Sequence, residues 1–175
     1  MTFWAEDSAG NRKGNNFFNP YLSNQIKSEN GMIVLFDLSQ HFINAAHYWQ
    51  LPIDNISLKS YGGTLEWTYS YSSRYSSPTT ANDVILSDGE TQIFYRFDST
   101  GPADRNNKRT LQLIETKWRD ELNRPVSRST FMSLLTKYES IRVRAVYDKT
   151  MHQTAIGHVS LETGFYKTHI SLFLK

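Results

Sequence analysis

The residues that most constrain the fold are 64–71, Thr-Leu-Glu-Trp-Thr-Tyr-Ser-Tyr. Leu65, Trp67, Tyr69 and Tyr71 fall on one face of an extended chain, and Thr64, Glu66, Thr68 and Ser70 on the other. A period of two demands a sheet with one buried face. Gly62 and Gly63 stand just before this strand, where a turn or close packing would exclude a side chain. The segment therefore predicts a β-sandwich and is silent on chemistry.

The remaining composition agrees. Ten Tyr and ten Phe, with Gly and Pro scattered rather than periodic, favour an all-β domain over a helical bundle. A length of 175 residues suits one well-filled core, so residues 1–175 are expected to form a single domain. The net charge of +2, from 19 basic and 17 acidic residues, creates no field that would drive the chain onto nucleic acid or an anionic membrane. With no cysteine there are no disulfides, thiolate metal sites or cysteine nucleophiles. No run approaches the roughly 18 apolar residues of a spanning helix. The polar start, with Glu6, Asp7, Arg12 and Lys13, reads as an internal piece of a longer chain.

Along the chain, residues 1–30 carry isolated aromatics and are expected to form little regular structure, and Tyr48-Trp49-Gln50-Leu51-Pro52 reads as a short apolar turn. Strands are predicted at Gly31–Leu38, Tyr61–Tyr71, Val84–Leu86, Gln92–Phe97, Thr110–Thr116, Ile141–Tyr147, Ala155–Leu161 and Tyr166–Leu174. Asp88-Gly89 is a tight-turn pair and Asn123-Arg124-Pro125 another turn. Tyr75–Asn82 is a polar loop, and Asp98–Arg109 is expected to be a mobile one. The predicted helix is Ser127–Tyr138, with Phe131, Leu134, Leu135 and Tyr138 as its apolar stripe and Ser127 or Ser129 as its cap.

The order of several pieces resembles one known family. YWQLP at 48–52, SYGGTLEWTYSY at 60–71, DVIL at 83–86, PVSRSTFMSLL at 125–135, IRVRAVY at 141–147 and HVSLE at 158–162 are similar to segments of the laminin IV type A (laminin B) domain, found in laminin chains and perlecan. FFNPY and VLFDLS resemble the segments that precede them. The Gly-Asp pair that usually follows the YW-x-LP element is missing here. The resemblance implies a jelly-roll-like antiparallel β-sandwich with one short helix. It implies a secreted, non-catalytic module of the extracellular matrix and basement membrane, with a structural, spacer and protein-interaction role. Expected partners are neighbouring laminin-type EGF-like modules and other matrix proteins. No cofactor is required, and no nucleic acid or membrane insertion is involved.

Candidate sites are few. The histidines His41, His47, His152, His158 and His169 have no metal-ligand spacing, and no G-x-S-x-G elbow, phosphate loop or EF-hand pattern occurs. Ile141, Val143, Ala145 and Tyr147 alternate with Arg142 and Arg144, which predicts a strand with a basic outer face. Lys137, Arg142 and Arg144, joined by Arg105, Lys108 and Arg109, then form a candidate strip for heparan sulfate or an acidic partner; the ordinary alternative is a solvated strand face. A jelly roll also suggests a glycan-binding module, with Tyr71, Tyr75, Tyr95 and Tyr147 as candidate stacking platforms. Trp67, Tyr69 and Tyr71 are more simply one buried stripe. Sandwiches of this type often hold a structural calcium where chain ends meet, and Glu6, Asp7 and Glu162 are its candidate oxygen donors. Asn55-Ile56-Ser57 is a glycosylation sequon in an expected exposed turn.

Overall fold

The computed structural model describes residues 2–6, 26–30, 32–36, 38, 46–51, 58–163 and 167–170. In chain order its strands are β1 (Thr2–Glu6), β2 (Ile26–Glu29), β3 (Met32–Phe36), β4 (Ala46–Gln50), β5 (Thr64–Ser73), β6 (Val84–Ser87), β7 (Gln92–Tyr95), β8 (Asn107–Gln112), β9 (Ser140–Arg144), β10 (Met151–Glu162) and β11 (Lys167–Ile170). A 3-10 turn at Leu58–Ser60 precedes β5, and one helix, α1 (Arg128–Thr136), precedes β9. Pairing among the described strands is antiparallel throughout. One sheet runs β1-β4-β9-β6-β7, and the other runs β2-β3-β10-β5-β8 with β11 beside β10. The result is a jelly-roll-like β-sandwich with one short helix.

The two inner faces share one apolar core. Leu65, Trp67, Tyr69 and Tyr71 of β5 all point into it, as their alternation predicts. Ile33 and Leu35 of β3 and Ile156, Val159 and Leu161 of β10 join them. Trp49, Val84, Leu86, Ile93, Ile141 and Val143 close the core from the other sheet. Edge-to-face contacts, and one tilted contact between Trp118 and Phe131, link Tyr61, Phe131, Trp118, Tyr95, Phe97 and Trp67 in one chain, with centroids 5.0–6.3 Å apart. Each such pair adds about 0.5–1.5 kcal/mol beyond its buried area.

The Gly-Gly pair is explained at both positions. Gly62 has φ +78° in the turn, a conformation that side chains avoid. Gly63 packs backbone to backbone, so a Cβ there would collide with the Glu162 carbonyl oxygen. Ser127 caps α1 by accepting a hydrogen bond from the Thr130 N–H at 3.1 Å. Phe131, Leu134 and Leu135 are its buried stripe, while Tyr138 lies past the helix end and is half-buried.

β10 contains two irregularities. Met151 pairs with Ser73 and Gln153 with Ser72, leaving His152 as an extra residue. Gly157 pairs with Thr68 and Ser160 with Glu66, again one residue too many, and His158 there has φ +44°. Both histidines are exposed. Such β-bulges bend a strand and increase its twist.

Several expectations need correcting. Tyr48, Trp49 and Gln50 belong to β4 rather than to a turn, because they pair with Arg144, Val143 and Arg142. The first thirty residues contribute β1 and β2. The strand expected at Thr110–Thr116 begins earlier, at Asn107, so Lys108 and Arg109 are strand residues. The loop before it is clamped rather than loose. Asp104 N–H donates to Tyr71 O at 2.8 Å, Gly101 N–H to the Tyr69 hydroxyl at 3.0 Å, and the Tyr71 hydroxyl to Gly101 O at 2.9 Å.

Candidate functional site

The largest departure from expectation is the basic strip. All five residues of β9 are buried, and Arg142 and Arg144 are only 0% and 3% exposed. Their side chains do point away from the apolar core, as alternation requires, but that face is covered. Arg144 is held from four sides: Nε donates to Val146 O at 2.7 Å, Nη1 to Asp83 Oδ1 at 3.2 Å, and Nη2 to both the carbonyl and hydroxyl oxygens of Thr79. Asp83 Oδ2 accepts from Phe97 N–H at 2.8 Å. This buried ion pair therefore fastens β9 to the loop before β6. Burial pulls the Arg142 guanidinium down to about 10, still protonated at neutral pH, and pushes the nearby Tyr48 phenol up to about 12.

The remaining members of the strip do not converge. Lys108, on the outer face of β8, pairs with Glu66 at 2.9 Å. Arg109 turns the other way, over Phe97 at 4.5 Å and Tyr69 at 5.5 Å, and donates to Ser99 O. Lys137 is the exposed C-cap of α1. Arg105 is exposed in the loop before β8. A shared anion site on Lys137, Arg142, Arg144, Arg105, Lys108 and Arg109 is thus not what the fold builds. Desolvated guanidinium groups cannot exchange counterions with a ligand.

The aromatic platforms divide in the same way. Tyr71 and Tyr147 are buried, their rings stacked at 5.3 Å, with Tyr147 also on Tyr69 at 4.5 Å. Burial raises all three phenols, which act as hydrogen-bond donors or acceptors within the fold. Tyr95 is half-buried in the edge-to-face chain. Tyr75 alone of the four is open to solvent, at 77%.

The backbone of Tyr75 is pinned although its ring is free. The hydroxyls of Ser73 and Thr150 lie 2.6 and 2.5 Å from Tyr75 O and 2.8 Å each from Asp148 Oδ1. The Asp148 carboxylate also accepts from Ser77 N–H at 2.6 Å and Thr150 N–H at 2.7 Å. Burial alone would raise this carboxyl, but those hydrogen bonds outweigh it and leave the pKa below the ordinary carboxylate value. Asp120 staples a second turn, accepting from Leu122 N–H at 3.0 Å and Arg124 N–H at 2.8 Å. That turn displays Leu122, 70% exposed.

Where β5 meets the loop before β8 lies an open pocket lined by Ser70, Ser72, Asp104, Arg105 and Asn106. Apart from Arg105, none of these was singled out from the sequence. Ser70 and Ser72 are legible as outward positions of β5, but the approach of the loop depends on the tyrosine hydroxyls that clamp it.

Among the described residues no group of three His, Asp or Glu side chains is placed to hold a metal ion. Of the calcium candidates, Asp7 lies outside the described residues, Glu6 closes β1, and Glu162 is exposed at the end of β10. Asn55 and His41 also lie outside the described residues. His47 is buried in β4, and His169 belongs to β11. No described helix is long and apolar enough to cross a membrane.

Comparison with known proteins adds what the geometry leaves open. The chain is 29% identical over 146 residues to a basement membrane proteoglycan of Caenorhabditis elegans, covering 82% of this chain and 4% of that protein. It is 29% identical over 140 residues to the mouse basement membrane-specific heparan sulfate proteoglycan core protein, covering 78% and 4%. With human laminin subunit alpha-1 the identity is 29% over 137 residues, covering 71% and 4%. The chain thus spans about 4% of the length of these relatives. Its fold matches the L4b domain of human laminin alpha-2 with a TM-score of 0.72 at 21% identity, over 93% of this chain and 91% of that one. The family model for Laminin B (Domain IV) matches residues 48–171, so the chain belongs to that family, an extracellular module of basement-membrane proteins.

Proposed function

We propose that this chain acts without catalysis, as a stiff module that spaces and orients its neighbours in a basement-membrane protein and offers a surface for protein contact. Family membership over residues 48–171 is the observation that carries this reading. The disposition of the charged groups supports it. Asp83 and Arg144 are consumed in a buried pair, and Asp148 and Asp120 in stapled turns. Groups committed in this way brace a scaffold and are not poised for proton transfer. The expected partners are adjoining laminin-type EGF-like modules and other matrix proteins.

The test is binding of the isolated domain to a panel of basement-membrane proteins and heparin, at low and physiological salt, with and without calcium. Saturable protein binding that survives physiological salt is the expected result. Binding confined to heparin at low salt would mean non-specific charge attraction and would count against a protein-contact surface.

A further inference from the structure

The pocket beside β5 has a volume of about 320 Å³ and is open to solvent. Its walls are fixed. Asp104, at φ +58°, is held by its bond to Tyr71 O, and Asn107 Nδ2 donates to both Pro102 O and Arg105 O at 3.0 Å. Its functional groups are uncommitted. Among the described residues, the side chains of Ser70, Ser72, Asp104, Arg105 and Asn106 make no hydrogen bond or ion pair within the protein. Elsewhere Asp83, Asp120 and Asp148 are all engaged.

Charge and polarity narrow the ligand. One carboxylate and one guanidinium balance, so a cation would face Arg105 and a polyanion would face Asp104. All five lining residues are polar, which leaves an apolar peptide side chain little to bury against. Strand addition at this edge of β5 is blocked, because β8 occupies it up to Tyr69 and Asp104 takes the Tyr71 carbonyl. What fits is an uncharged molecule rich in hydroxyl groups.

Tyr75 supplies a complementary element. It follows Ser72 by three residues, so their Cα atoms are at most about 11 Å apart. Its exposed ring stands on a backbone pinned by Ser73 and Thr150. A sugar ring offers hydroxyls to a polar pocket and a C–H face to an aromatic platform. A backbone held in place also removes part of the ordering cost of binding. We propose that Ser70, Ser72, Asp104, Arg105, Asn106 and Tyr75 form a binding site for an uncharged oligosaccharide. This site is independent of the spacer role.

Saturation-transfer NMR on the intact domain at physiological salt tests it, with oligomannose, N-acetyllactosamine and chito-oligosaccharide as probes and heparin as the polyanionic control. At least one uncharged probe is expected to bind. Asn106→Ala and Tyr75→Ala should each weaken it about tenfold, the loss expected from one hydrogen bond or stacking contact. Leu122→Ala, on the Asp120 turn, should change nothing, and melting temperatures should stay level across all three variants. Failure of every uncharged probe, binding of heparin alone, or binding undiminished in both Asn106→Ala and Tyr75→Ala would overturn the proposal.

Discussion

β5 and β9 look alike on paper and differ in the fold. Both alternate strictly, with large apolar residues at every second position and polar ones between. In β5 the intervening Thr64, Glu66, Thr68 and Ser70 are half-exposed, so that strand has one dry face. In β9 the intervening Arg142 and Arg144 are as buried as their neighbours. Alternation reports which residues share a face. It does not report whether water reaches that face. An outward arginine is kept at position 144 of β9 because its guanidinium is satisfied under cover, using a carboxylate 61 residues away to do so.

Four substitutions probe that contrast. Arg144→Ala should cost about 3–5 kcal/mol in chemical denaturation, because it strands Asp83 as a buried unpaired charge. A loss under about 1 kcal/mol would put this position on a par with a surface pair and erase the contrast. Asp148→Asn comes next, at about 1.5–3 kcal/mol near neutral pH, since hydrogen bonds to an ionised group are lost. The folded pKa of Asp148 is depressed, so its contribution is fully present above the unfolded value of about 3.9 and fades as pH falls through the folded value. The stability gap between the native chain and Asp148→Asn should therefore be flat from neutral pH to about 5 and close below about 4. A gap that stays constant through acidification would show that the carboxylate charge is irrelevant to the staple. Ser127→Ala should cost about 1 kcal/mol by removing the cap of α1, read as a shift in thermal melting. Lys108→Ala, which removes the exposed lysine paired with Glu66 across β8 and β5, should cost at most about 1 kcal/mol and less as salt rises. If it matched Arg144→Ala, burial would not be what separates the two pairs.

The features legible in advance were local. The Trp67-centred stripe of β5, the cap and inner face of α1 and the glycine turn before β5 follow from spacing and backbone conformation alone. What stayed hidden depended on distant partners. The burial of Arg144 requires knowing that Thr79 and Asp83 fold over it. The order in residues 98–106 depends on the hydroxyls of Tyr69 and Tyr71, which the stripe had marked only as apolar surface. A buried phenol needs a partner, but Gly101 lies 30 residues from Tyr71, too far along the chain for spacing to name it. The pocket was missed for a related reason. Ser70 and Ser72 lie in one element and residues 104–106 in another, and only the clamp brings them together.

The two bulges of β10 lead to a different kind of expectation. Remove His158, and Ile156, Val159 and Leu161 fall into strict alternation, while Ser160 meets Glu66 with no residue to spare. The ladder, in other words, is complete without it. His158 behaves as an insertion that shapes the strand: one surplus peptide in a positive-φ conformation coils the central strand of the sheet, at an exposed position. His152 is the surplus residue of the other bulge, near the start of that strand, and is likewise exposed. A chain lacking either histidine should still fold with every other pair in register, but into a flatter sheet.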